Sequence, residues 1–450
     1  MMSQPAQEAM TLRESRTNLD STAIGRELHD LMTRLYPICR SITGDGLRAT
    51  LRMLQEHIPL AMHEVATGDR VFDWTVPREW NIKDAYITTL QGERVVDFQK
   101  LNLHVLNYSV PVRQRLSLVE LKKHLFTIPE HPDWVPYRTS YYKENWGFCL
   151  SHNMLSSLTE QEYEVCIDSS LTEGHLTYGE YFVRGATDEE ILISCHCCHP
   201  SLCNDNLSGI VLTAFLAKML SPLLLRYSYR FLFIPGAIGS ITWLAKNEVS
   251  IPRIKHGLVV ACVGDPGCMT YKKSRRGNTE IDAAVLHVLR HSGREFNVKE
   301  FSPYGYDERQ YCSPGFDLAV GSLTRTPHGE FPEYHTSADN LDFVQPQYLA
   351  DSVEQYLAVI HVLEQNRRYV NLNPKCEPQL GNRGLYESIG GRTDAALREL
   401  AMLWVLNQSD GEHSLLDIAE RSKVKFDVID EAAQRLLAHG LLQEDRGARP

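Results

Sequence analysis

The sequence predicts an α/β protein with a largely parallel sheet, a small β-rich domain ahead of it and a helical module behind it. Three observations carry that reading. Short apolar runs at EILISCH (190–196), YRFLFIP (229–235) and GLVVACVG (257–264) are separated by stretches of helical period, as expected for parallel strands covered by helices. Residues 60–150 instead alternate short β-prone runs with turns, and the last sixty residues read as short helices. The 450 residues allow two to four domains at about 100–200 residues each. With 43% hydrophobic and 23% charged residues, the composition is that of an ordinary globular chain and excludes a disordered or collagen-like one.

Taken in order, the first twenty residues are polar and expected to be loose. From Ser21, the spacing of Ile24, Leu28, Leu31, Met32 and Leu35 predicts a helix, and Leu47, Leu51 and Leu54 predict a second. VFDWTV (71–76), AYITTL (85–90), VVDF (95–98) and LHVLNYSVPV (103–112) read as strands, broken by turn signals near Gly68, Gly92 and Pro111. NLSGIVLTAFLAKML (206–220) carries Ile210, Phe215, Leu216 and Met219 at helical spacing. Near the end, 393–406 is helical and Ser414 can cap LLDIAERS. The stretch 426–442 places Phe426, Ile429, Ala433, Leu436 and Leu437 on one face. No internal repeat is evident.

No apolar run approaches the roughly 18 residues needed to cross a bilayer, and the first residues lack the hydrophobic stretch of a secretory signal. Eleven cysteines, an odd number, favour reduced thiols and a cytoplasmic location. The net charge of −11 argues against a nucleic-acid or membrane partner for the whole chain. The three C-terminal helices resemble a winged helix-turn-helix. Yet 391–450 holds 11 acidic and 8 basic residues, with Asp427, Asp430 and Glu431 on the last helix, where phosphates would be repelled. A structural or oligomerisation role, such as a two-fold homo-oligomer, is the expectation for this module.

Three segments carry chemistry. In ISCHCCHPSLCNDNLSG (193–209) an apolar strand runs into His196 and His199, then a loop reaches Asp205 and Asn206 before a helix. Imidazoles and a carboxylate at such a place suit a zinc site, in which Asp can bridge two ions. GLVVACVGD (257–265) ends in Asp265, at the carboxyl edge where open α/β sheets gather ligands. GEFPEYHTSADN (329–340) is a polar loop holding His335. Each has a plainer reading: Asp205 as a helix cap, His335 as a surface residue. Cys195, Cys197, Cys198 and Cys203 could form a thiolate site, but their spacing is not that of paired Cys-x-x-Cys motifs and alternate strand residues face opposite ways. They read better as small buried hydrophobes. The aromatic stretch YRTSYYKENWGF (137–148), with Arg325 and Tyr334, hints at a substrate pocket.

In order, the segments read strand–His, Asp-Asn-x-x-Gly–helix, strand–Asp, then Tyr-His-Thr-Ser, which resembles the di-zinc exopeptidase superfamily of bacterial aminopeptidases. YDERQYCSPGFDLAV (306–320) resembles the segment before its last histidine ligand. The closer resemblance is to a bacterial aminopeptidase-like family often found with surface-polysaccharide genes. It rests on DWTVPREWNI (73–82), NYSVPV (107–112), IPEHPDWVPYRTSYYKENWGFC (128–149), HCCHPSLCNDNLSG (196–209), DERQYCSPG (307–315) and YHTSADN (334–340), and spans about residues 20 to 445. It implies a zinc-exopeptidase-like mixed sheet flanked by helices over 20–60 and 150–385. An inserted β-rich domain would occupy 61–149 and a winged helix-turn-helix 390–450.

The resemblance also implies metal ligands at His196, Asp205, Asp265 and His335 for one or two zinc ions (Zn²⁺), with Asp205 bridging if two bind. His199 is a rival for His196, which directly follows the strand as the first ligand does in the superfamily. The orienting aspartate two residues after that histidine is replaced by Cys198, so that support differs. The implied activity is hydrolysis of a small amino-acyl or peptide amide. One departure bears on it. Where the closer family resembles Pro-Glu-Thr-Ile-Gly-Ser, and the superfamily supplies its general base and a further ligand, this chain has Pro235-Gly236-Ala237-Ile238-Gly239-Ser240. Losing a positioned base costs about 10²–10⁴-fold in rate. Glu308, Glu330 or Glu333 could stand in, Glu308 first among them as the catalytic carboxylate. The alternative is a degenerate or repurposed relative, acting as a binding or scaffold protein or in another biosynthetic reaction.

Overall fold

The run at 190–196 shows no polar face because neither face meets water: every residue of Glu190–His196 is buried, as in a central parallel strand. The same holds for Ser228–Ile234. The structure, a computed structural model, describes residues 11–386 and 393–445. Residues 1–10 of the polar leader, and 390–392 and 446–450 of the expected winged helix, lie outside the described residues. Leu12–Thr17 is a short helix rather than loose chain, closed by a Thr11–Glu14 capping box.

Eight strands form the main sheet: β1 (Ala61–Ala66), β2 (His175–Val183), β3 (Glu190–His196), β4 (Ser228–Ile234), β5 (Ile254–Val260), β6 (Met269–Lys272), β7 (Phe296–Lys299) and β8 (Val320–Thr324). Their spatial order is β1-β2-β4-β3-β5-β8-β6-β7. Strands β4, β3, β5 and β8 are mutually parallel, while β1 and β2 add antiparallel pairings at one edge and β6 at the other. Helix Ser208–Leu220 leads from β3 to β4 on one side, and helix Ile238–Lys246 leads from β4 to β5 on the other side of β3. The strand order therefore reverses at β3, and the crevice beyond the carboxyl ends of β3 and β5 is the place where such sheets bind ligands.

Helix Ser208–Leu220 is buried nearly all round because helix Ser21–Leu35 covers its outer side, with Lys218 paired to Glu27. The face read from the sequence, Ile24, Leu28, Leu31, Met32 and Leu35, is buried, as are Leu47, Leu51 and Leu54 of helix Asp45–Leu54.

The β-rich layer is a four-stranded sheet in the order Arg94–Asp97, Glu79–Thr88, Glu162–Thr172, Val112–Ser117. It differs from the expectation at both ends of 61–149: residues 61–66 belong to the main sheet, and the strand at 162–172 lies beyond 149. The segment 103–112 is mostly not a strand. Asn107 and Ser109 are buried there and bond outside any ladder, Asn107 taking the Ser41 hydroxyl and donating to the Arg40 carbonyl. Tyr108 between them has φ +74°, which no strand accommodates.

A second unit comprises residues 278–294 and 355–450. Its three-stranded sheet orders Asp410–Ser414, Arg368–Asn371 and Leu442–Glu444, so the winged module begins ahead of 390. Ser414 caps Leu415–Ser422 in a capping box with Asp417, and helix Phe426–Ala438 buries Phe426, Ile429, Ala433 and Leu436. Among the described residues no helix is long and apolar enough to cross a membrane.

Candidate metal centre

The last residue of β3, His196, faces the loop before helix Ser208–Leu220, and the sequence NDNLS explains how that loop is held. Asn206 donates to the His196 and Val260 carbonyls and accepts from the Gly209 and Cys262 amides. Asn204 accepts from Gly264 N and donates to Asp265. The two asparagines thus tie the ends of β3 and β5 together and leave Asp205 pointing between them. Asp339, in the YHTSADN segment, accepts the Asn204 and Asp205 amides; burial pushes its carboxyl up to about 8. The Asp205–Asn206 peptide is cis.

Three imidazoles and a phenol converge on the fully buried Asp205. His196 Nε2 lies 2.9 Å from Oδ1, while His199 Nδ1 and His335 Nε2 lie 3.3 and 3.0 Å from Oδ2. The Tyr306 hydroxyl donates to Oδ1 at 2.6 Å. Tyr306 stacks on His196 with centroids 4.3 Å apart, and Tyr334 stacks on His335 at 3.9 Å. Tyr137, from the inserted segment, closes the other side: its ring edge meets His199 and His335, and its amide donates to the His335 carbonyl at 2.7 Å. Arg40, itself buried, holds the His199 carbonyl at 2.8 Å.

Burial alone would raise the Asp205 carboxyl, but the His199 and His196 imidazoles pull it well below the usual carboxylate range. Burial also brings His199 down to about 4 despite Asp205, so its imidazole is neutral near pH 7 and free to offer a lone pair. The donor set fits zinc. Bonds of about 2.0–2.1 Å in a tetrahedron put ligand atoms about 3.3–3.4 Å apart, close to the separations around Asp205. The ligand atoms of His196, His199 and Asp205 lie within 4.8 Å of one another.

His196, Asp205 and His335 are therefore brought together as the sequence suggested, and His199 joins His196 rather than competing with it. Asp265 is not brought there, a correction to the sequence reading. Its carboxylate accepts from Asn204, from the Gly267 and Thr326 amides and from the Thr326 hydroxyl, which consumes its acceptor sites in holding the loop. The residue facing Asp205 after β5 is Cys262, with Sγ 4.0 Å from Oδ1 and φ +50°. Glu308 has no hydrogen bond to this cluster; its Oε1 is held by Lys272 Nζ at 2.8 Å. Glu330 is exposed and paired with Lys299, and Arg325 turns to Asp351.

At the Gly236–Ala237 turn the missing carboxylate is answered by a residue the sequence reading passed over. Asp307 Oδ1 accepts from the Ala237 amide at 2.8 Å and the Ser240 hydroxyl at 2.7 Å, steadying Ala237 at φ +62°. Its Oδ2 is buried without a hydrogen-bond partner, and burial raises its carboxyl despite His196 nearby. The available signal was its place in YDERQ, beside Tyr306.

Residues 29–366 match the family described as Domain of unknown function (DUF4910). The chain belongs to the DUF4910 family. Residues 367–444 match a winged helix-turn-helix family. A curated Clostridium acetobutylicum protein named for polysaccharide biosynthesis and an aminopeptidase-like domain is 56% identical over 424 residues, 94% of this chain and 98% of its own. A crystal structure from Clostridium acetobutylicum, named as a peptidase, matches with TM-score 0.92 at 53% identity, over 96% of this chain and 99% of that one. A zinc aminopeptidase from Bacillus subtilis matches with TM-score 0.54 at 11% identity, over 75% and 95% of the two chains. A Shewanella amazonensis peptidase M28 precursor matches with TM-score 0.56 at 13%, over 78% and 96%. The last two show that the DUF4910 region has the aminopeptidase fold, as the motif order suggested.

Proposed function

We propose that this DUF4910 chain is a zinc-dependent amide hydrolase of the aminopeptidase type, acting on a small amino-acyl or peptide substrate in polysaccharide assembly. The observation that carries the reading is the convergence of His196, His199 and His335 on the buried Asp205 at the switch point of the sheet. His196, His199 and Asp205, whose ligand atoms lie within 4.8 Å of one another, would hold one ion, with His335 beside them on Asp205 Oδ2; with no carboxylate at 236 or 237 a second lacks ligands. Zinc bound there supplies a Lewis acid that polarises an amide carbonyl. Tyr306 fixes the orientation of Asp205 through its hydroxyl, and Tyr334 braces Tyr306 at 3.1 Å. Tyr137 packs its ring edge against His199 and His335 and covers one side of each. Asp307 Oδ2, rather than Glu308, is placed to accept a proton beside the vacated glutamate position. The named role of the Clostridium acetobutylicum relative supports the biosynthetic setting, and eleven free cysteines support a cytoplasmic one.

The Gly236–Ala237 turn favours the second reading, a relative that binds without hydrolysing. Elemental analysis with a screen of L-aminoacyl amides separates the two. The proposal expects about one zinc per chain and turnover lost on chelation and in Asp205→Asn. Bound zinc without turnover of any amide would favour the second reading; no zinc after adding it back would overturn the first.

A further inference from the structure

Tyr306 has two sides. One meets Asp205 and His196; the other lines a pocket of about 220 Å³ that the metal cluster does not use. Among the residues lining it is Glu308, only 1% exposed. Oε1 is paired with Lys272, whose Nζ also donates to the Tyr304 carbonyl at 2.7 Å, while Oε2 is buried with no hydrogen-bond partner. Gly305 makes room for the pair, since a Cβ there would lie 1.9 Å from Glu308 Oε1 and 2.7 Å from Lys272 Nζ. Thr324 and Ser322 line the walls, and His328 packs against both Tyr304 and Tyr306.

A buried acceptor without a donor is unfavourable, and an apolar group entering this pocket would leave Oε2 in that state. A cation is disfavoured too: it would share the Glu308 carboxylate with Lys272 Nζ, already 2.8 Å from Oε1, and the other lining carboxylates, Glu300 and Glu330, are paired with Lys273 and Lys299. A neutral O–H donor satisfies Oε2 without either cost. The volume is below the roughly 300–1,000 Å³ of sites that enclose a whole drug-sized ligand, so the pocket receives one group of a larger molecule.

We infer that the pocket beyond Tyr306 is a recognition subsite for a neutral, hydroxyl-bearing group of the substrate, with Glu308 Oε2 as its acceptor. The inference rests on the hydrolase reading for what the substrate is, but its test reads binding, so each can fail without the other. The probes are three amides of equal length: L-homoserinamide, L-norvalinamide and L-2,4-diaminobutyramide, carrying hydroxyl, methyl and ammonium at the same position. Titration calorimetry on the full zinc-supplemented chain should show homoserinamide bound at least about tenfold tighter than the other two. Glu308→Gln should reduce that preference to within about threefold, and Gly305→Ala, which crowds the pair, should weaken homoserinamide more than norvalinamide. Methyl β-D-glucoside competing with homoserinamide would identify a sugar as the source of the hydroxyl; no competition would identify a hydroxylated side chain. Norvalinamide binding as well as homoserinamide, diaminobutyramide binding best, no binding of any probe, or a preference unchanged in Glu308→Gln would overturn the inference.

Discussion

An asparagine at 307 keeps the oxygen that Ala237 and Ser240 bind and removes the atom able to take a proton. Asp307→Asn should therefore lower kcat by about 10²–10⁴-fold while zinc per chain stays as in the parent; an unchanged kcat would take Asp307 out of the proton transfer. The complementary change is Gly236→Glu. A Cβ at 236 meets Cys198 Sγ and His196 Cβ at 3.5 Å, ordinary contact, so the longer side chain has an open start toward the site. In the Asp307→Asn background it should restore part of the lost rate. Asp307 was hard to read from sequence because it fills a gap 70 residues away, and no periodicity links the two places. Asp265 and Cys262 were confused for a local reason. Which residue after β5 faces Asp205 depends on the left-handed turn at Cys262, and an aspartate three positions on was the more obvious ligand.

At the scale of elements, helix Asp45–Leu54 is tied to the β-rich sheet by Arg48, which grips both oxygens of Glu79 at 2.7 Å in a bidentate pair. That pair, led by the Arg48 hydrogen bonds, brings the Glu79 carboxyl down from its ordinary value near 4.5 to about 2. The sign follows from the lowered folded value: the stabilisation is complete above about pH 4.5 and is lost as pH falls toward 2. Glu79→Gln, which leaves Arg48 only its contacts to Glu64 and Asp45, should destabilise the chain by about 1–2 kcal/mol at neutral pH and by much less near pH 2. Chemical denaturation at the two pH values checks this; an equal loss at both would mean the charge is not what matters. The buried strands β3, β4 and β5 were legible as unbroken apolar runs, since both of their faces are covered. The segment 103–112 was not, because its apolar residues serve a loop whose bonds go to Arg40 and Ser41.

At the scale of the whole molecule, the order of motifs along the chain was enough to place His196, Asp205 and His335 at one sheet edge, because a parallel sheet delivers its strand ends there. The extent of the inserted layer was not legible, since strand Glu162–Thr172 has the same alternation as a strand of either sheet. In the second unit, helix Phe426–Ala438 buries Asp430 near His361 and leaves Asp427 half exposed beside it, so the exposed face of the helix carries an acidic group where a DNA-reading helix would need basic ones. Fluorescence anisotropy with duplex DNA at low salt should show no binding; salt-dependent binding would restore a regulatory role for the module. The central claim is that imidazoles and one carboxylate, not the neighbouring thiols, hold a single zinc. X-ray absorption at the zinc edge of the purified full chain tests it most directly. The account predicts nitrogen and oxygen neighbours only, at about 2.0–2.1 Å, with the histidine contribution reduced in His199→Ala. A sulfur shell at about 2.3 Å would place the metal on Cys262 or the thiols around His196 and contradict it.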